Sequence, residues 1–181
     1  APDIFDLGCG DYDTWYERCM DLSGEAWTEH VYEASLNGGS YDGKVYGLPY
    51  AMEGSGIIYN KDLFEQAGIE KVPETISELK ETCEKLQAAD IQAFGEAWGD
   101  WGFLMHILGI PFTYEGALET SERLSAKEET FSNMKYMESF FDFYDLTLEY
   151  GWGAESIGHH FDDQINSFVK GEIAMVKQGT W

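Results

Sequence analysis

Two tryptophans and an aspartate follow a short apolar run that predicts a strand. Trp98, Asp100 and Trp101 come soon after "IQAF", and Trp181 comes soon after a second strand-like run, "EIAMV". Because ligands of α/β sheets collect at the carboxyl ends of strands, these residues are candidates for a binding site. An indole ring packs on the C–H faces of a polyhydroxylated ligand, and a carboxylate accepts hydrogen bonds from its hydroxyls. The pattern therefore favours a sugar-like ligand, with core packing as the alternative for each ring.

Carboxylates beside these rings also raise the question of catalysis. Glu96 and Asp100 flank Trp98, and a glycosidase needs two carboxyl groups roughly 5 to 10 Å apart across a sugar. The sequence fixes no such distance, and a chain with 34 acidic residues has many chance neighbours. It contains no GxSxG, HExxH, Walker or GxGxxG motif. We therefore predict that the protein is not an enzyme; a carbohydrate-active hydrolase using Glu53 or Asp100 is the less favoured alternative.

The pair His159 and His160, with Asp162 and Asp163 close behind, is the one cluster with ligand types that suit a metal ion. Consecutive helical residues point about 100° apart, so the two rings do not easily face one ion. The cluster is better explained as the solvated start of a helix. We predict no metal and no cofactor.

The chain carries a formal net charge of -23, from 34 acidic and 11 basic residues. A surface this acidic repels phosphates, so the prediction excludes nucleic acid as a partner. Solubility accounts for the charge, and the alternative is that it serves a cationic ligand such as a polyamine or a peptide. The longest apolar runs are far shorter than the roughly 20 residues of a membrane-spanning helix.

Short strand-like runs alternate with helical patterns, which predicts an α/β fold. Thr75 and Glu78 have capping-box spacing before an apolar stripe that includes Cys83, and Asn60 is a good N-cap for a shorter helix. Cys9 and Cys19 could pair, and the sequence leaves this open. The remaining expected elements are a strand at 2–5, helices at 12–24, 98–109, 132–151 and 161–171, and a poorly patterned surface excursion at 109–132.

The ordered motifs of the chain resemble a known family. The run "DGKVYGLPYAMEGSGIIYNKDLFEQAGIEKVPETISELKETCEKL" and the later "FVKGEIAMVKQGTW" are similar to extracellular solute-binding proteins of ABC importers, the sugar-binding group that includes maltose-binding protein. Single pieces such as "KDLF" are weak signals, whereas the ordered set is specific. The resemblance implies a type II periplasmic-binding-protein-like fold, in which a solute binds without catalysis between two lobes that close about hinge strands.

The resemblance also implies an assignment of lobes and partners. Residues 1–49 are expected to form part of the first lobe and a hinge strand, and residues 50–181 most of the second lobe, incomplete at its C-terminal side. Family members are longer, so the chain is expected to be an internal fragment with exposed apolar surface that favours self-association. The full-length protein is expected to be extracellular or periplasmic, a membrane-anchored lipoprotein that delivers its solute to an ABC transporter permease.

Carried over to this chain, the resemblance implies several ligand contacts. Glu53 matches a position just past the first hinge strand where an acidic side chain contacts sugar hydroxyls, and its neighbour Met52 is included with it. Trp98, Asp100 and Trp101 match a loop on the cleft floor, and Trp181 matches an aromatic residue that stacks on a sugar ring. The loop from Asp6 to Asp11 matches a first-lobe stretch that reaches into the cleft.

Overall fold

A computed structural model describes residues 2–8, 11–101, 106, 109–114 and 116–180. The chain divides into two compact units, Ala1–Gly54 and Ser55–Thr180. The boundary lies a few residues beyond the one expected from the sequence. The assignment of the units to two lobes of a binding protein stays a prediction.

The first unit has short elements joined by turns. The strands β1 (Ser40–Tyr41) and β2 (Lys44–Val45) form a hairpin. Its two-residue turn places Asp42 and Gly43 at φ of 48° and 72°, the left-handed conformation that an Asp-Gly type I′ turn requires. The helices of this unit are α1 (Tyr12–Trp15), α2 (Glu33–Gly38) and two 3₁₀ turns, Tyr16–Arg18 and Ala26–His30.

Two sequence predictions in this unit are wrong. Residues 2–5 form no strand, because the described part of the unit offers them no pairing partner, and Ile4 is 92% exposed. The helix predicted from residue 12 ends by Arg18, so it is much shorter than its apolar spacing indicated.

The second unit is built on a three-stranded sheet of order β3–β5–β4. The central strand pairs antiparallel with β3 and parallel with β4. In the parallel register, Gln92 pairs with Ile173 and Phe94 with Met175. The loop after β4 and the last residues of β5 therefore leave the sheet at the same edge. The strands are β3 (Ser55–Tyr59), β4 (Gln92–Phe94) and β5 (Ile173–Gly179).

The helices α3 (Lys61–Gln66) and α4 (Ile76–Ala88) begin where the sequence predicted. The Asn60 side chain accepts hydrogen bonds from the amides of Asp62 and Leu63 at 3.0 and 3.2 Å. The Thr75 hydroxyl accepts from the Glu78 amide at 3.1 Å, which confirms the predicted N-cap. Each such cap stabilises its helix by about 1 kcal/mol.

Four further helices of this unit have both ends among the described residues. Two short ones occupy the segment expected to be a poorly patterned surface excursion, which is therefore partly helical, although most of its described residues are exposed. The buried helix predicted at 98–109 lies largely outside the described residues. The helices are α5 (Ile110–Thr113), α6 (Ala117–Ser125), α7 (Met137–Glu149) and α8 (Phe161–Val169), with 3₁₀ turns at Phe131–Asn133 and Gly153–Gly158.

The hydrophobic core of the second unit lies between α4, α7 and the sheet. Cys83 and Leu86 of α4 are fully buried there with Phe94 and Met175, so the prediction that Cys83 is a core residue is confirmed. Cys9 lies outside the described residues, and its pairing with Cys19 stays a prediction. Within the described residues, every helix is too short or too polar to span a membrane.

Candidate functional site

The candidate site of the second unit is the segment Gly95–Trp101, a loop that follows β4 and whose last residue, Trp101, is helical. A side chain at Gly95 would collide with the Ile173 side chain, because an added Cβ would lie 2.7 Å from Ile173 Cδ1. Two backbone hydrogen bonds fix the loop on the segment that precedes α8. The Trp98 amide donates to the Ser156 carbonyl at 3.0 Å, and the Gly99 amide donates to the His159 carbonyl at 2.9 Å.

Asp100 anchors this loop to the start of α8. Its Oδ2 accepts a hydrogen bond from the Phe161 amide, and its Oδ1 lies 3.3 Å from His160 Nδ1. These hydrogen bonds lower the pKa of Asp100, with the Phe161 amide as the main cause. The carboxylate is thus held ionised at a helix N-terminus, where negative charge is stabilising. The Asp100 side chain is 35% exposed. Its role in binding ligand hydroxyls stays a prediction.

The two tryptophans of this segment differ in their exposure to solvent. The Trp98 ring packs edge-on against Tyr144 of α7, with 5.0 Å between centroids, and is half-buried beside Phe140. Trp101 is 77% exposed, so its ring face is open to solvent. The core-packing alternative therefore describes Trp98 better, and Trp101 is the ring of this loop that a ligand can reach.

Glu96 was considered in the sequence only as a partner of Asp100. Its side chain is completely buried, and neither carboxyl oxygen has a hydrogen-bond partner among the described residues. Burial raises the pKa of Glu96 to about 8, and the nearby Lys177 ammonium opposes this. A buried Glu96 and an Asp100 engaged by a helix do not form an accessible acid and base for glycoside hydrolysis.

Lys177 is the second buried ionisable group of this region. Glu96 and Lys177 each follow by two residues the last pair of the parallel strands, Phe94 and Met175. Lys177 is 4% exposed, and burial lowers its pKa while Glu96 raises it. Sequence reasoning missed this pair because it depends on a pairing between segments about 80 residues apart in the chain.

The predicted site residues of the first unit are all exposed. Asp6, Asp11 and Glu53 lie at the surface, and Met52 is 62% exposed, with its sulfur accepting a hydrogen bond from the Ser35 hydroxyl at 3.3 Å. Trp181 lies outside the described residues. The roles of these five residues in ligand binding stay predictions.

The histidines before α8 make pairwise contacts with carboxylates. His159 Nδ1 lies 3.7 Å from Asp163 Oδ2, and His160 contacts Asp100 as described above. Among the described residues, no three side chains of histidine, cysteine, aspartate or glutamate are grouped to hold a metal ion. The contacts therefore act as links within the start of α8.

The candidate site follows the carboxyl end of β4, which is parallel to β5, and the carboxyl ends of strands are where α/β proteins commonly bind ligands. A family model described as "bacterial extracellular solute-binding protein" matches residues 11–181. Because the match covers nearly all of the sequence, the chain belongs to the bacterial extracellular solute-binding protein family. The resemblance seen in the sequence is thereby confirmed.

Individual relatives agree with this assignment. The chain is 31% identical over 168 residues to the mannitol-binding protein of Pseudomonas aeruginosa, covering 89% of this chain and 37% of that protein. The apo form of RafE from Streptococcus pneumoniae matches 100% of this chain and 48% of its own, with a TM-score of 0.80 and 25% identity. A complex of RafE with raffinose matches 100% of this chain and 49% of its own, with a TM-score of 0.77 and 25% identity.

These similarities confirm the predicted α/β fold of a solute-binding protein, of which the chain represents a part. The chain spans less than half the length of each of these relatives.

Proposed function

We propose that the protein binds a mono- or oligosaccharide, or a related polyol, without chemically changing it. The observation that carries the proposal is Trp101, a 77% exposed indole directly after a loop that the Asp100 carboxylate fixes to α8. A flat ring held in this way offers an apolar face to the C–H groups of a sugar at little cost in conformational entropy. The named ligands of the relatives, mannitol and raffinose, are both polyhydroxylated and support this choice.

The proposal extends to the whole transport function. Glu53, Met52, Asp6, Asp11 and Trp181 are proposed as further ligand contacts. Closure of two lobes about hinge strands would enclose the solute and present it to the permease of an ABC transporter. Export and a lipid anchor are part of the same proposal, which membership of an extracellular solute-binding family supports.

A cationic ligand is the second candidate, and the net charge of -23 is the observation that favours it. Isothermal titration calorimetry with raffinose, mannitol and spermidine at low and at high salt distinguishes the two. Neutral sugars should bind with micromolar affinity, about 8 kcal/mol, and with little dependence on salt. Binding of spermidine alone, weakened strongly by salt, would replace the sugar proposal with the cationic one.

A further inference from the structure

We propose that Gln164 is a positioning residue, which fixes the loop carrying Trp101 relative to the end of β5. The inference rests on the proposed sugar-binding function and adds a residue that does not itself contact the ligand. In α8 the fully buried side chain is that of the polar residue Gln164, whereas the apolar residues Phe161 and Val169 are exposed.

The pairing of the two parallel strands ends before the residues that matter for binding. The last pair is Phe94 with Met175, and β5 then continues to Gly179, where its described partner is Ser55 of β3. After Phe94 the chain leaves the sheet towards residues 156–161. The sheet itself therefore does not fix how the Gly95–Trp101 loop lies against the end of β5.

Buried amide groups make the missing connection. Gln164 Nε2 donates a hydrogen bond to the Gly95 carbonyl at 2.6 Å, and Gln164 Oε1 accepts one from Gln178 Nε2 at 2.8 Å. Gln178 Oε1 in turn accepts a hydrogen bond from the Gly179 amide at 3.4 Å. We call this chain of hydrogen bonds from Gly95 to Gly179 the glutamine relay. It joins the start of the Trp101 loop to the last residue of β5.

The chemistry of the relay explains why an amide stands at this position. Gln164 must donate at one end of its side chain and accept at the other, which an apolar side chain of the same size cannot do. Replacing Gln164 with methionine would leave the Gly95 carbonyl and the side-chain amide of Gln178 buried without hydrogen-bond partners. Buried polar groups without partners are rare in proteins and destabilise them. The start of the loop would then lose its connection to the end of β5, while its contacts with residues 156–161 remain.

The test uses the protein labelled with 5-fluorotryptophan, without ligand, and compares Gln164→Met with the wild type by ¹⁹F NMR. Single Trp→Phe variants assign the six tryptophan resonances. Gln164→Met should shift or broaden the Trp101 resonance, while the resonances of Trp15 and Trp27 in the first unit stay unchanged. Leu79→Ala is the matched control, because it destabilises the core of the second unit from α4, away from the relay.

Titration with raffinose and mannitol then measures the effect on binding. Gln164→Met should raise the dissociation constant at least tenfold, equivalent to about 1.4 kcal/mol of binding free energy, while Leu79→Ala changes it little. The double variant Gln164→Met/Gln178→Met should lose less binding free energy than the two single variants together. In the double variant no side-chain amide at position 178 is left without a partner. Gln178→Met alone removes the two hydrogen bonds of the Gln178 side chain and keeps the one from Gln164 to Gly95, so it serves if Gln164→Met fails to fold.

Two results would overturn the inference. One is an unshifted Trp101 resonance in folded Gln164→Met, or in Gln178→Met if the former does not fold. The other is an equal loss of affinity in Leu79→Ala. If the wild type binds neither raffinose nor mannitol, the proposed function fails, while the ¹⁹F comparison still decides whether the relay positions the loop.

Discussion

Replacing the buried Glu96 with glutamine is expected to stabilise the protein at neutral pH and to change little at pH 5. Burial raises the pKa of Glu96 from 4.5 to about 8 in the folded protein. The folded state therefore keeps the proton over a range of pH in which the unfolded chain has released it. Because the folded state binds more protons there, stability falls as the pH rises from about 4.5 to about 8. A glutamine at position 96 does not ionise, so it does not cause this loss of stability with rising pH.

The size of the effect follows from these two pKa values. At about 1.4 kcal/mol per pH unit, the whole interval corresponds to about 5 kcal/mol, and the part between pH 5 and pH 7 to about 3 kcal/mol. A loss of about 3 kcal/mol is a large fraction of the free energy of unfolding of a typical domain. The lowered pKa of Lys177 acts in the opposite direction, since its contribution to stability rises with pH between its folded and its ordinary value. The test covers pH 5–7, which lies between the ordinary and the raised pKa of Glu96.

Thermal unfolding of the wild type and Glu96→Gln at pH 5, 6 and 7 measures the difference. The melting temperatures should be nearly equal at pH 5 and differ by roughly 6 to 12 °C at pH 7, with the variant more stable. Glu81→Gln is the matched control, because Glu81 is exposed on α4 and the same carboxyl group is replaced by the same amide. A gap that is constant with pH, or equal to the gap of Glu81→Gln, would show that Glu96 is ionised in the folded protein.

Three further predictions concern packing and anchoring. Asp100→Ala should lower the free energy of unfolding in urea by about 1 kcal/mol because the start of α8 loses an acceptor, whereas an unchanged value would show that this link is dispensable. Gly95→Ala should destabilise by about 1 to 3 kcal/mol in thermal melts, since the methyl group meets Ile173, and a neutral result would mean that the loop yields easily. Light scattering should show self-association through exposed apolar residues such as those of β3, and a monomer at high concentration would contradict this.

The features that the sequence predicted correctly depend on neighbouring residues. The caps of α3 and α4 follow from Asn60 and Thr75, whose side chains bind amides two or three residues away. The strands β4 and β5 and the core position of Cys83 follow from short apolar patterns. The α/β class follows from the order of these elements, and the family from motifs that lie in a fixed order along the chain.

The features that the sequence did not reveal depend on distant contacts. On α7, Phe140 is buried whereas its neighbour Phe141 is 53% exposed, because the packing of the helix decides which face is covered. The burial of Glu96 and Gln164 depends on the parallel pairing of β4 with β5 and on the packing of α8. The exposure of Trp101, in contrast to Trp98, likewise depends on where α7 lies.

The most direct test of the account is the titration of the Trp101→Ala variant with raffinose and mannitol. If Trp101 stacks on the ligand, its loss should lower the affinity for the sugar or polyol that the wild type binds. The expected decrease is at least tenfold, about 1.4 kcal/mol or more. Phe141→Ala is the control, because it removes another exposed aromatic ring of the same unit and should leave the affinity unchanged. Equal affinities of Trp101→Ala and the wild type would contradict the account.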